Sequence, residues 1–571
     1  MEKIISFKDF SFQYTAQKNP TLKNINLDIY KGEKILICGP SGSGKSTLSN
    51  CINGLIPYSY SGKVDGSLIV DGIDASKSSI FELSNHVGTV LQDTDSQFIS
   101  LTVAEDIAFS LENNCYNNQE MEKIVERVSK EVGINDHLNS APGELSGGQK
   151  QRVSLAGVMV GEADILLFDE PLANLDPETG KSAIELIDKI QKNSACTVII
   201  IEHRLEDVLW RHVDRVILMN DGTIICDEDP NTLLSSDVLV KSGIREPLYI
   251  TCLKYAGVNI TSAKKPEHID SLLLDEKDID IVNKWYNETK LVKEKNDNDA
   301  ILKIDDLSFK YIHNENDTLH NVSFDVKKGE MLSIVGQNGA GKSTLAKIIC
   351  GFENSDRGHI YLDGLDISEK SIRERAKDIG YVMQNPNQMI SQSLIFDEVA
   401  LGIRNIGLSE NEIKDKVYDV LKICGLYEFR NWPISALSYG QKKRVTIASI
   451  LVMGPKVIIL DEPTAGQDFK HYTEIMEFLK NINKNGVTVI MITHDMHLML
   501  EYTSRGIVIV DGKILSDKSS SEILCDGSLV REAALKETSL FTLANKCHID
   551  NPVSFVDCFI EYDRKVREDG C

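Results

Sequence analysis

The apolar residues of this chain fall into short runs, and the runs form two similar sets. Ile4–Tyr14, Leu22–Ile29 and Lys34–Cys38 make a β-rich opening, and Ile301–Tyr311, Val322–Val326 and Met331–Val335 repeat it near the middle. Ile165–Phe168, Val457–Leu460 and Thr197–Ile201 are continuous apolar runs of strand length. Runs of this kind predict buried strands. Asn117–Val132, Lys150–Val160 and Glu178–Lys192 read as helices between them. Strands alternating with helices predict a parallel α/β sheet, with a helical insertion before the strand that starts at Ile165. No run approaches the roughly 18 to 20 apolar residues that a membrane-spanning helix needs.

The two sets belong to an internal repeat. Gly39-Pro-Ser-Gly-Ser-Gly-Lys-Ser-Thr47 recurs as Gly336-Gln-Asn-Gly-Ala-Gly-Lys-Ser-Thr344. Leu145-Ser-Gly-Gly-Gln149 recurs as Leu437-Ser-Tyr-Gly-Gln441, and the strand ending in Asp169-Glu170 recurs as the one ending in Asp461-Glu462. Ile201-Glu-His203 recurs as Ile492-Thr-His494. The offsets are 297 for Lys45 to Lys342, 292 for both Ser146 to Ser438 and Asp169 to Asp461, and 291 for His203 to His494. One order at nearly one offset indicates a tandem duplication. The expected division is a first domain over 1–235, a helical connector over 236–298, a second domain over 299–530 and a C-terminal helical appendage over 531–571. Leu540, Phe541, Leu543, Phe555, Cys558 and Phe559 give the tail its helical spacing.

Composition narrows the function classes. The 571 residues are 42% hydrophobic and 26% charged, which excludes global disorder. With 62 Lys and Arg against 86 Asp and Glu the net charge is −24, which argues against general binding to a nucleic-acid backbone. The twelve cysteines form no Cys-x-x-Cys pair, so they are read as reduced thiols rather than metal ligands. The N-terminal stretch has no signal-peptide pattern, and the chain is expected to be cytosolic, with any membrane role carried by a partner.

Gly39–Ser46 and Gly336–Ser343 fit the phosphate-loop pattern, in which glycines let backbone N–H groups converge on phosphate oxygens at a helix N-terminus. Lys45 and Lys342 are expected to reach the β- and γ-phosphates, and Ser46 and Ser343 to ligate Mg²⁺. Asp169 and Asp461 end apolar strands, the place for a magnesium-coordinating carboxylate; Glu170 and Glu462 are placed to orient or deprotonate the attacking water. Gln92 and Gln384 follow strand-like pieces and can reach Mg²⁺ or the water, while His203 and His494 can hold the γ-phosphate or the water. Ser146–Gln149 and Ser438–Gln441 precede helices and offer a second anion-binding device in each half. A single loop cannot easily wrap one triphosphate with two such devices, which suggests that each half offers this end to the other half's nucleotide.

On these motifs the chain resembles a tandem ATP-binding cassette (ABC) protein over roughly four-fifths of its length. The resemblance implies two P-loop NTPase domains of α/β class, each with a mixed or parallel sheet core, an antiparallel β subdomain and a helical insertion, forming an intramolecular cassette dimer. It implies ATP and Mg²⁺ as cofactors. Gly39, Ser41, Gly42, Gly44, Lys45, Ser46 and Thr47 make one Walker A loop, and Gly336, Asn338, Gly339, Gly341, Lys342, Ser343 and Thr344 the other. Ser146, Gly147, Gly148 and Gln149, and Ser438, Gly440 and Gln441, take the signature role. Gln92, Glu170, His203 and Gln384, Glu462, His494 take the catalytic role, and Ser46, Gln92, Asp169 and Ser343, Gln384, Asp461 the metal role. Asn174-Leu-Asp176 and Gly466-Gln-Asp468 match the D-loop. Tyr14 and Tyr311 sit where the family stacks an aromatic on adenine; an aromatic merely closing a strand is the other reading.

The sequence around 92–109 and 384–402, with Gly243–Leu248 and Leu535–Leu540, resembles the energy-coupling factor (ECF) and cobalt-type ATPases. That group works on a transmembrane coupling protein joined to a small substrate-binding membrane protein, at the cytoplasmic face of the membrane, and imports vitamins, other micronutrients or transition-metal ions. The competing expectation is a soluble tandem ABC protein acting on the ribosome. Its charged, RNA-reaching linker is not matched here, since 241–300 carries ten basic and eleven acidic residues. Lys442-Lys-Arg444 reads as a solvated helix face. Tyr439 replaces a signature Gly and Gly466-Gln-Asp468 departs from the usual D-loop, so two unequal sites are expected.

Overall fold

A computed structural model describes residues 2–92, 97–173, 175–289, 298–312, 317–404 and 406–569. Asn174 of the expected D-loop, positions 93–96 after Gln92 and 290–297 of the connector lie outside the described residues. Contacts divide the chain into two compact units, one running to Val282 and including Asp468–Lys470, the other taking the remainder from Asn283.

In the first unit the strands are β1 (Lys3–Tyr14), β2 (Leu22–Tyr30), β3 (Lys34–Cys38), β4 (Gly62–Val70), β5 (Ile73–Asp74), β6 (Val87–Val90), β7 (Ile165–Asp169), β8 (Thr197–Ile201), β9 (Arg215–Asn220) and β10 (Thr223–Glu228). β2-β1-β4-β5 form an antiparallel sheet, and β10-β9-β3-β8-β7-β6 a second sheet that is parallel except at β10. β3, β7 and β8 are buried on both faces, which is why they read as continuous apolar runs rather than as alternation. The two sheets share one core that includes Phe7, Phe12, Leu27, Ile35, Ile37, Leu167 and Ile199.

The insertion consists of helices Val103–Asn113, Asn118–Val132 and Gly147–Met159. The middle one is set by local chemistry. The Asn117 side chain accepts from Glu120 N–H at 3.0 Å, Val125, Val128 and Val132 bury one face, and Gly133 ends the helix at φ 72°. After a short helix at Pro230–Leu234, the connector forms two more, Val238–Lys241 and Leu248–Ala256, then a longer one, Glu276–Thr289.

The second unit repeats the plan with β11 (Ala300–Phe309), β12 (Leu319–Lys327), β13 (Met331–Val335), β14 (Arg357–Leu362), β15 (Leu365–Asp366), β16 (Ile379–Val382), β17 (Val457–Asp461), β18 (Thr488–Ile492), β19 (Arg505–Val510) and β20 (Lys513–Ser519). Its sheets run β12-β11-β14-β15 and β16-β17-β18-β13-β19-β20. Helices Ser539–Lys546 and Pro552–Asp569 close the chain, and the end of the connector helix packs on the last of these through Trp285 and Tyr286 against Phe555.

Candidate functional site

Strand order builds the site. In the first unit β3 is followed by the phosphate loop, its neighbour β8 by His203, the next strand β7 by Glu170, and the edge strand β6 by Gln92. Parallel strands all present their C-terminal ends at one edge of the sheet, so four distant segments converge there. The second unit does the same with β13, β18, β17 and β16.

Each phosphate loop enters its helix through a left-handed glycine, Gly44 at φ 99° and Gly341 at φ 98°, a conformation that a side chain resists. Lys45 and Lys342 are each 7% exposed. Their ammonium groups fold back onto the loop, Lys45 Nζ onto Gly39 O at 2.7 Å and Lys342 Nζ onto Gly336 O at 2.7 Å. Burial lowers the Lys45 pKa, opposed by the charge of Glu170. Tyr14 hydroxyl lies 3.1 Å from Thr47 Oγ1 and Tyr311 hydroxyl 3.3 Å from Thr344 Oγ1, which puts both half-buried rings beside the start of the loop helix.

The residues present fit a hard cation. Ser46 hydrogen-bonds Asp169 and Ser343 hydrogen-bonds Asp461, and burial raises both carboxyl pKa values. Asp169 Oδ1 is buried with no hydrogen-bond partner. A buried carboxylate oxygen left open beside a serine hydroxyl suits Mg²⁺, which is bound by oxygen ligands.

Glu170 and Glu462 leave their strands at φ 48° and 46°, a strained choice for a non-glycine residue that recurs at the same place in both units. Beyond that point the units part. In the first, Gln92 Nε2 donates to Glu170 Oε2 at 2.6 Å, and His203 Nδ1 lies 3.1 Å from Oε1 of the fully buried Glu202. Burial, then the charges of Glu202 and Asp169, push the Glu170 carboxyl up to about 7, while burial lowers the His203 pKa. In the second, the contact is His494 Nδ1 with Glu462 Oε1 at 2.7 Å, and Tyr381 hydroxyl donates to Asp461 Oδ2 at 2.9 Å.

The signature residues begin helices. Ser146 is an N-cap whose hydroxyl accepts from Gln149 N–H at 3.4 Å while Gln149 Oε1 accepts from Ser146 N–H at 2.9 Å. Ser438 and Gln441 close the same reciprocal cap at 3.3 and 3.0 Å, with Gly147, Gly148 and Gly440 in the first turns. The Tyr439 hydroxyl donates to Gln384 O at 3.4 Å.

Two residues at these sites were not assigned a role from the sequence, and a third was misread. Glu202 directly follows β8 and Tyr381 lies within β16, and only a comparison of the repeats, Glu202 against Thr493 and Tyr381 against Thr89, marks them. Lys443 corrects the reading of Lys442-Lys-Arg444 as a solvated face: it is 1% exposed, because its position on the helix faces the sheet and its long stem reaches backbone carbonyls there.

The ABC transporter family model matches residues 22–173 and 319–465, and a model described as ATP-binding cassette cobalt transporter matches 236–309. An ABC transporter ATP-binding protein of Clostridium perfringens is 58% identical over 564 residues, 99% of each chain. One from Enterococcus faecalis is 55% identical over 566 residues, again 99% of each. A solved structure, CbiO1 from Clostridium perfringens, described as part of the ABC transporter complex CbiONQ, is 35% identical with a TM-score of 0.39, covering 43% of this chain and 99% of that one.

Proposed function

The chain belongs to the ABC transporter family as a two-cassette ATP-binding protein and ATPase, and we propose that it is the energy-coupling subunit of an ECF-type importer. On this reading it drives uptake of a vitamin, another micronutrient or a transition-metal ion through a separate transmembrane coupling protein and a small substrate-binding membrane protein. The match of 236–309 to the cobalt-transporter cassette model is the observation that favours this type over other ABC proteins. The connector also supports it, since Trp285 and Tyr286 are buried in packing rather than carried on a charged arm. No helix among the described residues is long and apolar enough to cross a membrane, so transport requires membrane partners.

In this reading the loop N–H groups with Lys45 or Lys342 hold the ATP phosphates, and Tyr14 or Tyr311 lies against the adenine. Ser46, Gln92 and Asp169, and Ser343, Gln384 and Asp461, hold Mg²⁺. The bound ion supplies charge neutralisation at the phosphates. Glu170 and Glu462 accept a proton from water, and His203 and His494 hold position beside them. Ser146–Gln149 and Ser438–Gln441 serve the nucleotide of the opposite cassette. Differential affinity of ATP for the approached and separated cassettes then drives the cycle.

Side chains that follow the Q-loop residues supply a surface for the membrane partner. Ile99 and Leu101 are 62% and 83% exposed in the first unit, and Leu394 and Leu401 are exposed in the second. The test is a gentle-detergent pull-down of the tagged protein from its native cells. A multi-spanning membrane protein with small hydrophobic companions is expected, and Leu101→Asp should reduce its recovery. Ribosomal proteins without membrane proteins would overturn the reading.

A further inference from the structure

The helices that begin at the two signature serines carry a different residue at one corresponding position, Gln151 in the first unit and Lys443 in the second, at an offset of 292. Both are buried, at 8% and 1% exposure. They hold different parts of their units. Gln151 Nε2 donates to Pro171 O at 2.6 Å, directly after the Asp169-Glu170 pair. Lys443 Nζ donates to Met383 O at 2.7 Å and to Gln384 O at 2.9 Å, the two residues that follow β16 at the start of the Q-loop. The Tyr439 hydroxyl, one turn earlier on the same helix, reaches the same Gln384 carbonyl at 3.4 Å. The main chain at Gln384 is therefore fastened to the signature helix by two side chains.

Charge adds to the geometry. The Lys443 ammonium is close enough to Asp461 and Glu462 to interact electrostatically with both. The second unit thus sets two buried lysines, Lys342 and Lys443, beside two carboxylates, Asp461 and Glu462. The first unit sets one such lysine, Lys45, near the carboxylates of Glu170, Asp468 and Asp169, and Glu202 adds its charge to the two strand-end acids. A buried ammonium is costly unless it is hydrogen-bonded and compensated, and both conditions are met here.

We propose that Lys443 is a positioning residue of the second cassette: it ties the Q-loop main chain at Met383 and Gln384 to the signature helix and thereby sets where the Gln384 side chain stands relative to Asp461 and Glu462. In the first cassette the corresponding Gln151 reaches Pro171 O instead, and Gln92 is placed through its own side chain on Glu170. The proposal rests on the ATPase reading for its kinetic arm only.

Two measurements on the full-length protein test it. The first is hydrogen exchange of the nucleotide-free protein. Lys443→Met should raise exchange of the segment over 384–390 by about tenfold, since local opening follows the loss of tethering bonds, while the segment after Gln92 in the other cassette stays as it was. The second is steady-state ATP hydrolysis in a chain carrying Glu170→Gln, which isolates the second carboxylate. There Lys443→Met should lower kcat by about tenfold and leave KM for ATP within about twofold, the mark of an interaction made in the transition state. Lys443→Gln, the first cassette's own residue, keeps a donor of shorter reach and should fall between. Unchanged exchange over 384–390 in a folded Lys443→Met protein would overturn the proposal whatever the ATPase assay gives. Altered exchange with unchanged kcat would overturn the functional role. Absence of hydrolysis in the unsubstituted protein would instead count against the ATPase reading.

Discussion

Gln92 and Glu170 lie 78 positions apart in the chain, and their side chains meet at 2.6 Å. In the second cassette the corresponding glutamate, Glu462, is held by His494 at 2.7 Å instead. Two glutamates on equivalent strand ends therefore rest against different groups.

The two glutamates are accordingly expected to contribute unequally. Glu170 Oε2 is engaged by the Gln92 amide at 2.6 Å, a contact that must open before water can reach that oxygen; Glu462 rests on an imidazole instead. Glu462→Gln should lower ATP hydrolysis by at least about tenfold and Glu170→Gln by less than about threefold. Equal losses from the two variants would remove the case for unequal sites.

A chain carrying Glu462→Gln should report the first cassette's pH dependence. Below about 7 the Glu170 carboxyl is protonated and cannot accept a proton; above it the carboxylate is available, so the rate rises with pH through that region. Burial is the largest cause of the shift and the charge of Glu202 the next. Glu202→Thr, which installs the second cassette's residue, removes one carboxylate and should move the rise to lower pH. A profile that does not move would show that Glu202 leaves Glu170 untouched.

The first cassette contains a buried ion pair without a counterpart at Met331. Lys34 Nζ lies 2.5 Å from Asp188 Oδ1, with side-chain exposures of 5% and 10%. Removing one partner leaves a buried charge, so Asp188→Ala should cost about 3 kcal/mol in denaturant unfolding. The double replacement Lys34→Met with Asp188→Leu should recover most of that loss, because it removes both charges and fills the volume.

Trp285 anchors the last helix of the chain. Its ring is 8% exposed and meets Phe555 and Tyr562 with centroids 6.2 and 5.4 Å away. Trp285→Ala should cost about 3 kcal/mol locally. Limited proteolysis should then cut within 552–569 sooner, with ATP hydrolysis changed by less than about twofold. An unchanged cleavage pattern would mean that the tail is held elsewhere.

The sequence alone determined the duplication, the phosphate loops, the buried strands and the second and third helices of the insertion. These features are local. A phosphate loop is a run of backbone conformations written in consecutive residues, a strand buried on both faces is an uninterrupted apolar run, and a cap such as Asn117 on Glu120 spans one helical turn. The resemblance of those motifs also located Gln92, Glu170 and His203 and their repeats.

Tertiary structure decided which partner each of these residues has. Gln92 meets Glu170 only because β6 lies beside β7, and Glu202 adds its charge to Glu170 only because β8 lies on the other side of β7. Lys443 looks like a solvent residue in a Lys-Lys-Arg run, yet it is buried against the segment that follows β16, where the Met383 and Gln384 carbonyls accept its ammonium. Burial and pairing arise between segments that are distant in the chain, so the difference between two sites of nearly identical motif is set by the neighbours that the sheet brings to them.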